Sequence, residues 1–409
     1  MNKTILSTLL GAVTILSAGQ ALALTSTTTT QLRCLYKTSS INTNPESNYE
    51  WALASSTSTS LYKISGKWWQ TKTASVKNMF FTNTSQATMK SLCANTLTRK
   101  GITQPLMMMA AADTWAGVNY TIWTNDSATQ AAKINKVVVF GDSVSDTQNV
   151  YSATNWELPS PHSYFLGHFT NGKVWNEYLS DNLNVPNYNW AVGGAAADDC
   201  TVIPGVKSQV ESYVEYMKSA VNYKPANSLF TMLVGANDLI SYGRSVDEIM
   251  VAETAALNNL LSNGAKNILV LNVPNLSVAP KYSEQMGFKT AQERADLLSA
   301  IGQLNVRLAA LVDTYKTSTT VKIRLYDTYK RVNDLLAAPA TFGITNPTQS
   351  CLDINSDSSL NYTKTFPPRV NCTNADAFLF WDLLHPTTRA HKLIADEVIT
   401  FVRANFPVQ

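Results

Sequence analysis

Three residues of the types that cooperate in acyl transfer stand far apart in this chain: Ser143, and near the end Asp382 and His385. Ser143 follows Gly141 and Asp142, directly after the apolar, β-branched run Lys136-Val137-Val138-Val139-Phe140. That run reads as a buried strand, and the glycine with small polar residues behind it reads as the turn that ends it. In an open α/β sheet, the carboxyl ends of the strands are where ligands bind and chemistry is done. A serine there is a candidate nucleophile, which needs a base, a group to orient the base, and donors for an oxyanion. Gly-Asp-Ser alone also describes an ordinary turn. The histidines are His162, His168, His385 and His391. His385 sits in Trp381-Asp382-Leu383-Leu384-His385-Pro386-Thr387, a turn ahead of a C-terminal helix. An Asp three residues before it can bond the imidazole and favour the useful tautomer.

The elements that would carry these residues alternate. After the Ser143 strand come a helix over 174–183, a short strand near 188–190, and a helix ending near Met217. Strands over 229–234, 268–273 and 321–326 are separated by helices over 246–261 and 291–315. This alternation predicts an α/β fold with a central parallel sheet and helices on both faces. Before it, from Gln31 to about Asp126, short segments such as 50–53 and 60–64 alternate with polar turns, with one helix near 86–97. Tyr49, Trp51, Trp68, Trp69, Trp115, Tyr120 and Trp123 make that part aromatic-rich. It reads as a small, mainly β domain whose aromatics fill a core, with a lipid- or glycan-binding surface as the rival reading. The expected division is 1–23 signal peptide, 24–130 N-terminal domain and 131–409 catalytic domain.

Composition narrows the class. The chain has 409 residues, 45% hydrophobic and 15% charged, with a net charge of +3. So small an excess, with no basic run, argues against nucleic acid as a partner. Lys3, an apolar core from Ile5 to Ala18, and Ala21-Leu22-Ala23 form a signal-peptide pattern, predicting an exported, soluble mature protein from Leu24. No later stretch reads as apolar enough to span a bilayer. Export permits disulfides. The five cysteines leave the pairing open, but the domain reading favours Cys34 with Cys93 and Cys351 with Cys372, leaving Cys200 over. No C-x-x-C or H-E-x-x-H pattern occurs, so neither a metal nor a cofactor is expected. Asp353-Ile354-Asn355-Ser356-Asp357 lacks the glycine and closing glutamate of a calcium loop and reads as a polar loop.

Gly141-Asp142-Ser143-Val144-Ser145-Asp146-Thr147-Gln148-Asn149 resembles the first block of the GDSL lipases and esterases, the SGNH hydrolases, with Val144 for Leu and Gln148 for Gly. Asp382 and His385 match the C-terminal acid–base motif of that family. The resemblance implies Ser143 as nucleophile, His385 as general base and later acid, and Asp382 as its orienter. It also implies an oxyanion hole made by the Ser143 and Gly194 backbone N–H groups and the Asn237 side chain. A small residue lets the backbone approach the oxyanion, and an amide donates without bringing charge. Gly167-His168-Phe169-Thr170-Asn171-Gly172-Lys173-Val174-Trp175 is similar to a segment of the bacterial glycerophospholipid:cholesterol acyltransferases, with His168 for Arg and Thr170 for Ser. Arg33-Cys34-Leu35-Tyr36, Asn189 to Ala196 and Cys351 to Asn355 resemble the thermolabile haemolysin group. Part of that group lacks the triad acid, whereas Asp382 stands in its place here. The resemblance implies a secreted esterase acting on phospholipids or lysophospholipids at a membrane surface, with a sterol as a further acyl acceptor. A carbohydrate acetylesterase on the same scaffold, or a non-enzymatic adhesin or membrane-disrupting toxin, are the rivals. The loop between Cys351 and Cys372 is expected to cover or shape the acyl site.

Overall fold

The computed structural model describes residues 26–38, 49–71, 77–113, 119–126, 132–200 and 202–408. The expected signal peptide and Trp115 lie outside them. The N-terminal part is built from β1 (Thr28–Lys37), β2 (Tyr49–Leu53), β3 (Lys63–Gln70), β4 (Lys77–Thr82), α1 (Gln86–Arg99), β5 (Leu106–Ala112) and β6 (Asn119–Thr124). β1 pairs with β3 through Thr28–Gln31, with β2 through Arg33–Lys37 and with β5 from Gln31 to Tyr36. With β3–β4, β4–β6 and β5–β6 also paired, five strands close into a small barrel and β2 extends it. Closure leaves fewer free edges than an open sheet of this size. Ser85 caps α1 by accepting from the Thr88 N–H, and a Cys34–Cys93 disulfide ties the helix to β1.

The larger part contains β7 (Lys136–Gly141), α2 (Asn149–Ala153), α3 (Trp175–Leu183), β8 (Asn187–Asn189), α4 (Val206–Met217) and β9 (Ser228–Leu233). It continues with α5 (Val246–Ser262), β10 (Asn267–Leu271), α6 (Ala291–Asp313), β11 (Lys322–Tyr326), α7 (Thr328–Ala337), β12 (Asn346–Ser350), β13 (Phe378–Phe380) and α8 (Thr388–Asn405). The main sheet is wholly parallel in the order β11-β10-β9-β7-β8. β7, β9 and β10 are buried along their full length, as strands covered on both faces must be. α3 packs against α8, while α4 packs on α5 and α5 on α6, which gives the two helical layers. The chain reverses its winding direction between β7 and β9, and a crevice opens there beyond the strand ends.

The barrel does not sit apart from this sheet. Trp69, Phe81 and Trp123 belong to the same buried cluster as Tyr188, Trp190 and Tyr213. The Trp123 ring stacks on Tyr188 at 4.1 Å and Trp69 on Trp190 at 6.4 Å. Trp68 and Tyr120 are buried in the barrel's own core, and Tyr49 stands against Phe165 at 4.7 Å. The described aromatics thus fill cores and the seam between the two parts, rather than forming an exposed binding surface.

Two expectations need correction. The segment at 60–64 is not a strand from its start: β3 begins at Lys63, after Ser60 has closed a turn onto Ser56. α6 is, by length and composition, long and apolar enough to cross a membrane, contrary to the sequence reading. Its stripe of Leu297, Ile301, Leu304, Leu308 and Val312 is nevertheless buried in the protein core.

Candidate active site

Ser143 lies two residues beyond β7, in a turn closed by the Ser145 and Asp146 N–H groups donating to the Asp142 carbonyl. Gly141 is required where β7 meets β9, because a Cβ there would stand 2.7 Å from the Leu233 carbonyl oxygen. The turn is then fastened from outside. Trp175 Nε1 donates to Ser145 Oγ at 3.1 Å, and the Asn176 and Asn189 amides donate to the Ser145 carbonyl at 2.9 and 2.6 Å. Asp146 accepts from the N–H groups of Gln148, Asn149, Val150 and Gly193. It therefore ties the Ser143 turn to the Gly193-Gly194 loop, which follows β8.

His385 arrives from the other end of the chain, in the turn between β13 and α8. Its Nε2 lies 2.7 Å from Ser143 Oγ, and its Nδ1 lies 2.8 Å from Asp382 Oδ2. Asp382 Oδ1 accepts from the Leu384 and His385 N–H groups, both at 2.7 Å. Tyr164 Oη donates to Asp382 Oδ2 at 2.9 Å. Burial pushes the Asp382 carboxyl up, but the His385 charge and the hydrogen bonds from His385 and the Leu384 N–H outweigh it and hold the group below its usual range. An ionised Asp382 on Nδ1 requires Nδ1 to donate, which leaves Nε2 free to accept a proton from Ser143. Phe169 and Tyr362 flank the imidazole, with centroids 5.1 and 5.5 Å away.

Asn237, just beyond β9, directs its amide at the Ala195 carbonyl, 3.0 Å away, and stands 3.5 Å from Asp142 Oδ2. Gly194 has φ +84°, a backbone state that L side chains rarely adopt, and a Cβ there would meet Ile203 at 2.9 Å. Ser143, Gly194, Asn237, Asp382 and His385 line one cleft of about 170 Å³. The five residues singled out from the sequence are therefore brought together. Burial pushes the Asp142 carboxyl up to about 7, against the pull of the Val144 N–H and the His385 charge. Burial also lowers His391 to about 3, helped by the charges of His385 and His168, so His391 is a neutral core residue behind the site.

Both disulfides form as the domain reading favoured, and Cys200 is free. The Cys351–Cys372 loop supplies Ile354, Asp357, Ser358, Ser359, Asn361 and Tyr362 to the cleft wall. Lys281 holds Asp357 at 2.8 Å, with Lys289 at 3.6 Å. Arg369 bonds the polar 353–357 loop, reaching Asp353 at 2.9 Å and Asn355 at 3.0 Å. Among the described residues no cluster of His, Cys, Asp and Glu fits a metal. Sequence reasoning missed Tyr164, Asp146 and the two rings on His385. Asp146 could have been found from its place in the Ser143 block; Tyr164 lies in an irregular stretch that carries no periodic signal.

This is the arrangement of a serine acyl hydrolase, and residues 137–398 match the GDSL-like lipase/acylhydrolase family, to which the chain belongs. Residues 12–125 match a second family, the N-terminal domain of Vibrio dual lipase/transferases. The chain is 40% identical to a thermolabile hemolysin of Vibrio parahaemolyticus, over 91% of its own length and 87% of that protein's. It is 26% identical to a phosphatidylcholine-sterol acyltransferase of Aeromonas hydrophila, over 69% of this chain and 94% of the other. Among solved structures, a G-D-S-L lipolytic protein from Veillonella parvula matches with TM-score 0.37 and 15% identity, covering 65% of this chain and 96% of that one.

Proposed function

We propose that Ser143, His385 and Asp382 form a catalytic triad that hydrolyses fatty-acyl esters of phospholipids or lysophospholipids through an acyl-enzyme. The observation that carries this reading is the unbroken chain from Ser143 Oγ to His385 Nε2 at 2.7 Å and from His385 Nδ1 to Asp382 Oδ2 at 2.8 Å. His385 takes the Ser143 proton as Oγ attacks the ester carbonyl. Donors at the Ser143 N–H, the Gly194 N–H and Asn237 Nδ2 receive the developing oxyanion. His385 then gives the proton to the leaving glycerol oxygen, and the acyl group stays on Ser143. Water, activated by His385 as base, completes hydrolysis; a sterol hydroxyl in the same position gives a sterol ester instead.

The phospholipid class is supported by the likeness to the Aeromonas phosphatidylcholine-sterol acyltransferase and by family membership. Export is part of the same reading, supported by two disulfides, which persist in oxidising compartments; work at a membrane surface follows from the proposed lipid substrate. The division into an N-terminal domain at 24–130 and a catalytic domain at 131–409 is supported by the barrel and the sheet each having its own strand ring or layer. Vesicles of mixed phospholipid and cholesterol test the function directly. Fatty acid or sterol ester is expected with the protein and absent with Ser143→Ala. Release of acetate from acetylated sugars, with no acyl product from vesicles, overturns it in favour of a carbohydrate esterase. Lysis of cells that survives Ser143→Ala favours a non-enzymatic toxin.

A further inference from the structure

We propose that Tyr164 is a positioning residue for the catalytic carboxylate, and that the N-terminal barrel keeps it in place by gripping the two residues that follow it. The inference rests on the triad reading. Tyr164 is fully buried, and its Oη donates to Asp382 Oδ2, the same oxygen that receives His385 Nδ1. Among the described residues, no other side chain besides His385 bonds that carboxylate. Burial and the neighbouring Asp382 push the Tyr164 hydroxyl well above its ordinary range, so it stays a neutral donor. The segment around it has no helix or strand to hold it, and it is fastened instead at both sides. Trp381 Nε1 donates to the Ser163 carbonyl at 2.9 Å, and Ser163 exchanges hydrogen bonds with Phe366 of the disulfide loop.

The other side is the barrel. Phe165 and Leu166 point into a small apolar cluster completed by Leu35, Tyr49, Trp51, Met107 and Met108 from β1, β2 and β5. His168 closes this bend from within: Nδ1 bonds the Phe165 carbonyl at 2.8 Å and Nε2 bonds Glu177 at 2.9 Å. Consecutive residues thus face opposite tasks. Tyr164 reaches the triad acid, and Phe165 and Leu166 anchor in the neighbouring domain.

The decisive test reads His385 itself by NMR titration of its ring, alongside steady-state kinetics on a soluble ester, in the full chain. The titratable groups around His385 and Asp382 are Asp142, His391, Tyr164 and Tyr362. Tyr164→Phe keeps the ring and removes one donor. The carboxylate, less neutralised, then stabilises the imidazolium, so His385 should titrate at higher pH and the acid limb of kcat/KM should move up with it. kcat is expected to fall about tenfold with KM within about twofold. Tyr49→Ala, on the barrel side of Phe165, should move both in the same direction by less. A His385 titration unchanged in Tyr164→Phe overturns the positioning role. Tyr49→Ala that lowers only the melting temperature overturns the barrel's share in it. A normal His385–Asp382 titration in a protein with no esterase activity would instead indict the assigned function, leaving the positioning result readable.

Discussion

Ser143 and His385 are separated by 242 positions in sequence and by 2.7 Å in space. The residues that make this contact usable are mostly not those that touch substrate. Asp146 receives four backbone N–H groups and couples two loops, and Asp382 receives two N–H groups and two side chains. Asp382, so satisfied, is held below its usual range, whereas burial pushes Asp146 up in spite of its four donors, and a carboxylate left bare is driven towards its neutral form. Glu253 on α5 is the contrasting case. It is buried, its Oε1 has no hydrogen-bond partner among the described residues, and burial with nearby Asp238 pushes it up to about 8. The native state therefore holds a proton that the unfolded chain releases near its ordinary 4.5. Native protein binds more protons across that window, so this group's contribution to stability falls as pH rises from about 4.5 to about 8. Glu253→Gln, which cannot ionise, should match the parent near pH 4 and exceed it at pH 9 by on the order of a few kcal/mol. Urea unfolding at the two pH values measures this, and an equal difference at both would refute it.

At the scale of elements, legibility followed periodicity. The parallel strands could be located because each is a short run rich in apolar residues ended by glycine, asparagine, proline or aspartate, and the observed β9, β10 and β11 fall within a residue or two of expectation. α5 ends at Ser262, capped by Asn263 and followed by Gly264, as its stop signal implies. α1 appears with the right start, at Gln86. The ring closure of the barrel was not legible, because β1 must choose three partners and nothing in Thr28–Lys37 encodes which. Nor was the bend at 160–168, whose form is set by Asp382, Trp381 and Glu177 contacts from distant elements. The disulfide loop was legible as a loop near the histidine, and its place in the cleft wall sharpens the consequence. A Cys351→Ser/Cys372→Ser double variant should change the rate on long-chain esters by at least about threefold while Ser143 stays reactive to a small organophosphate. A bridge of this length stabilises by about 2–4 kcal/mol, so melting should be followed in parallel. Unchanged rates on every chain length would remove the loop from the acyl site.

On the scale of the whole molecule, the barrel and the sheet share a core of stacked tryptophans and tyrosines, so the N-terminal part packs directly against the catalytic part. Three of the barrel's contacts with the catalytic part lie close behind a site segment. Trp69 meets Trp190 ahead of Gly193, the Asn119 carbonyl accepts from Ser152 behind the Ser143 turn, and Tyr49 meets Phe165 beside Tyr164. All three site segments converge where the winding of the sheet reverses, which is why residues from four separate stretches of sequence can meet in one cleft. The central claim is that this convergence makes a covalent acyl-enzyme at Ser143. Rapid acid quench after mixing with a phosphatidylcholine, followed by peptide mass mapping, tests it most directly. The account predicts a fatty-acyl adduct on the peptide carrying Ser143, accumulating in His385→Ala far more slowly and absent in Ser143→Ala. Fatty acid released at full rate with Ser143 never acylated, or an adduct carried by another residue, would contradict it.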